Sequence, residues 1–250
     1  MLNVTQIRPP GYLHAHALDD VAQYLAHMIA ACGRDVRRSV NQLATDATNL
    51  VVGGHLLGPA ELPPGSIVFN SEPVAEHGRW PGYAALRARA IGWDYSPVNG
   101  AGAVVPFLYC AAMAQPVRPP GGALVFYGAL TPRRVAILDG LRSAGVPVEV
   151  AYGTYGADRD ARLARAGAVL NLHKTDDART FEPIRCFYPL HRGLPVISEE
   201  TTDPAADDFR DSVAFVPVEG IAAAFATRDP ARAARFARTS GLARIAQLVA

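Results

Sequence analysis

One stretch in the second half of the chain constrains the fold more than any other. An apolar run over 168–172 ends directly in the polar pair His173–Lys174, as a buried strand does at the edge of a sheet. A helix-like segment over 181–191 follows a polar turn, and a second apolar run over 194–198 ends in Glu199. Strand, helix and strand in this order form a parallel βαβ unit. Ligands bind at the carboxyl edge of open parallel sheets, so the polar residues after the first strand predict a binding site there.

The remainder of the chain repeats this alternation of short apolar runs and helix-like segments. A break over 115–122, rich in Pro and Gly, separates two halves, because such a composition suits a linker. The pattern predicts an α/β protein with two Rossmann-like domains, over 1–118 and 119–250, whose parallel sheets face a central cleft. A last helical segment is predicted over 230–250.

Composition excludes several classes of protein. Of the 250 residues, 50% are hydrophobic and 19% are charged, which is typical of a globular protein and not of a disordered one. The formal net charge is +1, so we expect no nucleic-acid partner. Cys32, Cys110 and Cys186 form no CxxC motif, which argues against zinc and disulfides and favours the reducing cytoplasm. We also expect no signal peptide and no membrane span, since no apolar run approaches roughly 20 residues.

The segment VFYGALTPRR has the pattern of a strand, a tight turn and the start of a helix. Gly128 permits the turn, Thr131 is a suitable N-cap, and Pro132 suits the first helical position. Arg133 and Arg134 then fall in the first helical turn, where positive charge opposes the helix dipole. A bound phosphate would remove this conflict, because helix N–H groups and arginines both attract anions. The alternative is a pair of solvated surface arginines.

Polar residues also collect around the start of the next predicted helix. His173 and Lys174 follow a buried strand and face this start, as either structural or phosphate-binding residues. Glu182 follows a predicted N-cap, where an acid is favourable in itself or accepts hydrogen bonds from a ribose diol. Arg185, one helical turn later, would hold Glu182 in place or reach a phosphate.

The first half offers candidates for a catalytic base. His14 and His16 lie in the loop after the first predicted strand, and histidine has the near-neutral pKa that deprotonation of a hydroxyl requires. Their alternative is a pair of exposed loop histidines. Glu72, together with residues 53–55, also follows a predicted strand and is a further candidate at the acceptor side. Trp80 is interpreted as a packing residue.

The second half resembles the nucleotide-binding domain of GT-B glycosyltransferases, especially those with a short signature that contains Phe-Glu. The matching segments are VFYGALTPRR, VEVAYGTYG and AVLNLHKTDDARTFEPIRCFYPLHRGLPVISE. The first half is similar in pattern, through IVFNSEPV, WDYSPVN and VPFLYC, to the acceptor-side domain of these enzymes. The resemblance implies transfer of a sugar from a nucleotide-sugar donor to a hydroxyl-bearing acceptor, and a terminal helix that packs back on the first domain.

The resemblance also implies roles for individual residues. Glu182 matches the carboxylate that binds the donor ribose, and the segment from Tyr152 to Tyr155 would lie near the base. The implied donor-site residues are Gly128, Arg133, Arg134, Tyr152, Tyr155, His173, Lys174, Phe181, Glu182 and Arg185. His16, His14 and Glu72 are the catalytic candidates.

One departure from the family pattern limits these inferences. Many retaining members carry a second glutamate eight residues before the ribose glutamate, but here that position is Lys174, so retention and inversion both stay open. No Asp-x-Asp motif lies in a suitable loop, and we therefore expect neither a metal nor a separate cofactor. The alternatives to a transferase are a non-catalytic nucleotide-sugar binder or scaffold and a nucleotide-sugar epimerase.

Overall fold

The computed structural model describes residues 1–57, 62–73, 78–100, 102–116, 121–178 and 180–250. The strands are β1 Leu2–Gln6, β2 Val36–Val40, β3 Thr48–Val52, β4 Ile67–Phe69, β5 Ile91–Asp94, β6 Ala103–Val104, β7 Ala123–Phe126, β8 Val148–Val150, β9 Ala166–Asn171, β10 Val196–Glu199 and β11 Val213–Val216. The α-helices are α1 Asp19–Ala31, α2 Tyr83–Ala88, α3 Pro132–Ser143, α4 Gly156–Leu163, α5 Pro183–His191, α6 Ile221–Ala226, α7 Pro230–Arg235 and α8 Leu242–Leu248.

The chain divides into two compact units. The first consists of Met1–Ala112 together with Ser240–Ala250, and the second consists of Met113–Thr239. The division between Ala112 and Met113 lies earlier than the linker over 115–122. The predicted boundary at 118/119 lies outside the described residues.

Each unit is built on a parallel sheet, as predicted from the βα rhythm. Within the described residues, the first sheet has six strands in the order β2-β1-β3-β4-β5-β6, and the second has five in the order β11-β10-β9-β7-β8. All strand pairs in both sheets are parallel. The prediction of two Rossmann-like α/β domains is therefore confirmed. In the first sheet β2 and β3 lie on opposite sides of β1, and in the second sheet β8 and β9 lie on opposite sides of β7. The strand order therefore changes direction between β1 and β3 and between β7 and β9, and these two positions are topological switch points.

The central strands of the second sheet are buried on both faces. Every residue of β9 is buried, which explains its continuous apolar sequence. Leu138 and Leu141 of α3, with Phe225 of α6, belong to the core cluster of this unit, beside Phe126 of β7. The predicted start of α3 is also confirmed, because Thr131 Oγ1 accepts a hydrogen bond from the Arg134 amide and Pro132 is the first helical residue.

In the first sheet, a loop rather than a helix joins β2 to β3, and polar side chains of the sheet hold it. Asn49 Oδ1 accepts from the Ala44 amide at 2.7 Å, and Asn49 Nδ2 donates to the Ala44 carbonyl at 2.9 Å. Asn3 Nδ2 donates to the Gln42 carbonyl at 2.9 Å. Because loop backbone groups would otherwise be buried without partners, the fully buried Asn3 and Asn49 stabilise this face.

The predicted helix over 230–250 is interrupted. It consists of α7, a short 3-10 helix over Phe236–Arg238, and α8, which belongs to the first unit and lies against α1. The break falls at Ser240 and Gly241, and a Cβ atom on Gly241 would lie 2.9 Å from Pro106 Cγ. This close approach favours glycine and allows the chain to turn into α8.

Candidate functional site

The switch point of the second sheet brings two of the predicted donor-site residues together. Gly128 follows β7, and a Cβ atom built on it would lie 3.2 Å from Phe126 Cζ and 3.4 Å from Arg185 Cζ. The missing side chain therefore leaves room for the Arg185 guanidinium against the β7 loop. The same guanidinium donates from Nη1 to Asn171 Oδ1, 3.1 Å away at the end of β9. Arg185 thus spans the two strands between which open α/β sheets bind ligands.

Glu182 stands immediately before α5, and its carboxylate lies between two arginines. Its Oε2 atom accepts a hydrogen bond from Arg185 Nη1 and another, at 3.4 Å, from Arg134 Nη2. The side chain of Glu182 is 19% exposed. An ionised carboxylate has about four lone-pair sites, so two arginines can fix its position while acceptor capacity remains for ligand hydroxyls.

The structure gives Arg134 a different role from the phosphate ligand that the sequence suggested. Its side chain is 1% exposed. Its Nε donates to the His173 carbonyl at 3.1 Å, Nη1 to the Ala129 carbonyl at 2.9 Å, and Nη2 to the Leu172 carbonyl at 2.6 Å. Burial and the nearby charge of Arg185 lower the pKa of Arg134 to about 10, so the guanidinium stays charged at neutral pH. Arg134 joins the loops that follow β7 and β9.

Arg133 is likewise held by protein groups. Both Nη atoms of Arg133 donate hydrogen bonds to the Glu199 carboxylate at the end of β10, and the bond from Nη1 is 3.0 Å long. The Nε atom of Arg133 donates to Asp176. Glu199 Oε2 also accepts from the His173 amide at 2.9 Å. Burial opposes ionisation of Glu199, but the hydrogen bonds from Arg133 and His173 outweigh it and lower the pKa of this carboxyl. The sequence identified Glu199 only as a strand end, although an acid after a buried strand was a usable signal.

His173 and Lys174 form the loop that these arginines support. His173 is buried, and its Nε2 atom lies 2.8 Å from the carbonyl of Glu200, the residue that follows β10. This contact joins His173 to the end of β10. The Lys174 carbonyl accepts from Thr131 Oγ1 at 3.1 Å, while the residue is half-buried. The backbone of this loop is therefore fixed next to the first turn of α3.

Three aromatic residues of the predicted donor site have different surroundings. Phe181 is fully buried and packs edge-on against Phe209 and Phe215, with ring centroids 5.2 and 5.3 Å away. Its side chain belongs to the core and is not presented to a ligand, while its backbone precedes Glu182. Tyr152 follows β8 and is 49% exposed, and Tyr155 immediately precedes α4 and is half-buried.

In the first unit, the loop after β1 pairs His16 with a carboxylate. His16 Nδ1 lies 3.0 Å from Asp19 Oδ2, and the Asp19 Oδ1 atom accepts from Gln6 Nε2 at 2.7 Å and from Arg8 Nη2 at 2.8 Å. Asp19 is the first residue of α1, and its side chain turns toward the end of β1. His14, the other candidate base, is half-buried beside the ring of Tyr12.

Glu72, the remaining catalytic candidate, lies after β4 on the same sheet edge. Its Oε1 atom is 3.5 Å from His55 Nε2 after β3, and the Glu72 side chain is 27% exposed. The carboxyl edge of the first sheet thus carries two pairs of a histidine and a carboxylate.

The described residues contain neither a metal-binding cluster nor a membrane-spanning helix. No group of three or more His, Cys, Asp or Glu side chains among them is arranged to hold a metal ion. Among the same residues, no helix has both the length and the apolar character that crossing a bilayer requires.

A comparison of structures relates the fold to a solved glycosyltransferase. The crystal structure of AviGT4, a glycosyltransferase involved in avilamycin A biosynthesis, superimposes with a TM-score of 0.56 and 16% sequence identity. The match covers 99% of this chain and 95% of AviGT4. This likeness shows that the two parallel α/β units have a fold like that of AviGT4.

Comparisons of sequence give shorter matches. "Uncharacterized protein L140" of Acanthamoeba polyphaga mimivirus is 36% identical over 89 residues, which are 35% of this chain and 28% of the viral protein. "Uncharacterized protein L137" of the same virus is 37% identical over 79 residues, which are 31% of this chain and 11% of that protein. The matched segments span less than a third of these relatives. No protein-family model matches the chain.

Proposed function

We propose that the chain is a glycosyltransferase that moves a sugar from a nucleotide-sugar donor to a hydroxyl group of an acceptor. The observation that carries this proposal is the Glu182 carboxylate at the switch point of the second sheet, held between Arg134 and Arg185. The likeness of the fold to that of a glycosyltransferase supports the same reading.

The donor binds to the second unit in this proposal. Glu182 accepts hydrogen bonds from the two ribose hydroxyls, because an anchored carboxylate suits a diol. Arg185 and Lys174 face the diphosphate, where they stabilise the negative charge that develops as the nucleotide departs. Tyr152 lies beside the base. Arg134, Arg133 and His173 act indirectly, because their hydrogen bonds fix the two loops that carry these groups.

The acceptor is activated by the first unit. Asp19 accepts from His16 Nδ1, which sets the imidazole tautomer in which Nε2 is the basic nitrogen. Gln6 and Arg8 hold Asp19 in place. In an inverting transfer, the acceptor oxygen forms a bond to the anomeric carbon, the bond from that carbon to the diphosphate oxygen breaks, and the acceptor proton passes to His16. His14 is the second candidate for this base.

Donor binding is tested by thermal unfolding of the full chain with UDP, GDP, CDP or dTDP. A nucleotide present at 100 times its Kd should stabilise the protein by about 2.7 kcal/mol. Glu182→Gln should remove most of this stabilisation, whereas Glu219→Gln, at an exposed glutamate of the same unit, should leave it unchanged. The donor site is refuted when no nucleotide stabilises the wild type, or when the Glu182 variant responds fully.

Transfer is tested separately with sugar donors. Wild-type protein should release the nucleotide from one of them, slowly without an acceptor and faster with one. His16→Asn should abolish the acceleration by the acceptor while donor binding persists. Binding without any release of nucleotide would indicate a nucleotide-sugar sensor, and a changed donor sugar without transfer would indicate an epimerase.

A further inference from the structure

The pair of His55 and Glu72 on the first sheet has no part in the donor chemistry. The His55 side chain is 4% exposed and the Glu72 side chain is 27% exposed, with 3.5 Å between Nε2 and Oε1. Ser71 Oγ lies 3.4 Å from the other ring nitrogen of His55. A buried imidazole therefore stands behind a carboxylate that reaches the surface at the carboxyl edge of the sheet.

The turn that carries Glu72 is held by buried polar residues. Asn70 Nδ2 donates to the Glu72 carbonyl at 2.8 Å and to Asp94 Oδ2 at 2.9 Å, and Asn70 Oδ1 accepts from Tyr83 Oη at 2.9 Å. Asn70 and Asp94 are fully buried, and Arg87 lies 3.4 Å from Asp94. Burying so many polar groups is costly unless they satisfy one another. Their common effect is to fix the backbone from which the Glu72 carboxylate projects.

Trp80, which lies beside His55, adds a buried hydrogen-bond donor. Its ring centroid lies 4.6 Å from that of His55. The indole Nε1 atom is buried, and it meets no hydrogen-bond acceptor among the described residues. Buried indole N–H groups ordinarily have a partner, so an oxygen atom of a ligand would complete this one. Trp80 packs against the core of the first unit, as the sequence indicated, and in addition carries this donor.

We propose that Glu72, His55 and Trp80 form the acceptor subsite, and that the acceptor is a polyhydroxylated molecule of the sugar class. The carboxylate of Glu72 accepts hydrogen bonds from neighbouring hydroxyls, and the indole N–H of Trp80 donates to a hydroxyl oxygen. An alkyl alcohol or a phenol has a single hydroxyl and therefore makes fewer of these hydrogen bonds. An anionic acceptor is repelled by the Glu72 carboxylate.

The subsite lies on the same sheet edge as His16. Only β3 separates β1 from β4, so the two strand ends are about 10 Å apart. One acceptor molecule can therefore be held by Glu72 and present a hydroxyl toward the pair of His16 and Asp19. The role of this site as an acceptor subsite rests on the proposed transferase activity. The binding of a sugar to this edge, however, does not require the nucleotide-sugar donor.

The first experiment measures sugar binding directly, without a donor. The chain has two tryptophans, so the indole region of a 1H–15N spectrum of the full chain contains two signals, and Trp80→Phe identifies one of them. Methyl glycosides should shift the Trp80 signal, whereas 1-butanol and phenol should leave it in place. Glu72→Gln should weaken the titration by about ten- to a hundredfold, the loss expected for hydrogen bonds to a charged group. A Trp80 signal unaffected by every glycoside overturns the proposal.

The second experiment measures transfer kinetics of the full chain. Glu72→Gln should raise the acceptor KM by about ten- to a hundredfold and leave nucleotide stabilisation of the protein unchanged. Glu219→Gln serves as the matched control. An unchanged acceptor KM in the Glu72 variant, or equal use of glycosides and alkyl alcohols, contradicts the subsite. Absence of nucleotide stabilisation in the wild type contradicts the transferase instead, and the spectroscopic titration then decides the subsite alone.

Discussion

At the scale of single residues, Arg134 illustrates how a charged side chain can become part of a core. Its position in the first turn of a helix suggests an anion site, because positive charge there is otherwise unfavourable. The structure resolves this conflict with three backbone carbonyls and the Glu182 carboxylate. Leu172, His173 and Glu182 are remote from Arg134 in the sequence, so no local pattern could identify these partners.

We expect Arg134→Met to destabilise the second unit by about 3–5 kcal/mol, since it leaves carbonyls and Glu182 without their buried partner. Urea unfolding measures this loss. Arg142→Met is the control on the same helix, and its exposed side chain should cost less than about 0.5 kcal/mol. Normal stability of the Arg134 variant together with lost nucleotide binding would instead make Arg134 a phosphate ligand.

Gly128 allows a second prediction at this scale. Alanine there would require Phe126 and Arg185 to move by a few tenths of an ångström, because both lie within 3.4 Å of the new Cβ. We expect Gly128→Ala to cost about 1 kcal/mol of stability and to weaken nucleotide binding. Gly140→Ala is the matched control, since its Cβ meets open space on α3 and should stabilise by about 0.5–1 kcal/mol. Equal effects of the two substitutions would refute the close approach at Gly128.

At the scale of elements, α5 connects the candidate site to the core of the second unit. Glu182 precedes its first turn, and His191 ends it in a buried position. His191 Nδ1 lies 2.8 Å from the Phe187 carbonyl, and its ring packs edge-on against Phe236 at 5.1 Å. Burial lowers the pKa of His191 to about 4, and the hydrogen bond to Phe187 only partly offsets this effect.

The pKa of His191 predicts a loss of stability in acid. The unfolded state binds a proton below a pKa of about 6.5 but the folded state only below about 4, so stability is complete above 6.5 and is lost as the pH falls between these values. The loss should reach about 3 kcal/mol. His191→Phe should remove this contribution, and His27→Gln, at a half-buried residue of α1, should retain it.

Urea unfolding of the three proteins at pH 7 and pH 4.5 measures this effect. Glu199 also loses stabilising interactions on acidification, because its folded pKa is lowered, so the difference between wild type and His191→Phe isolates His191. Parallel pH dependence in these two proteins would contradict the prediction.

At the scale of the whole molecule, the chain leaves the first unit near Met113 and returns to it at Ser240. The returning helix α8 lies against α1, and its Ile245 is fully buried. Cys32 Sγ, at the end of α1, contacts the Leu242 carbonyl at 3.6 Å. The last residues of the sequence are therefore part of the core formed around its first helix.

We expect Ile245→Ala to destabilise the first unit by about 2–5 kcal/mol, the usual cost of removing a large buried side chain. Hydrogen exchange should then become faster in α1, while the helices of the second unit keep their protection. Leu242→Ala, at a residue that is 38% exposed, should have a much smaller effect. Faster exchange confined to the second unit would contradict the assignment of α8 to the first.

Local sequence was sufficient for several elements of the second sheet. Continuous apolar runs predict strands such as β9, and the Thr131–Pro132 pair predicts the start of α3, because burial and capping depend on neighbouring residues. The placement of polar residues at strand ends likewise indicated the carboxyl edges of both sheets. The interruption of the segment over 230–250 was missed, because helix propensity does not register the contact of Gly241 with Pro106.

The sequence by itself determined the parallel α/β architecture and which polar residues stand at the strand ends. Only the tertiary structure decided their partners: Asp19 for His16, His55 for Glu72, and two arginines for Glu182. The physical reason is the range of the interactions. Periodicity and capping act within a few residues, whereas these contacts depend on which strands become neighbours in the sheet and how deeply each side chain is buried.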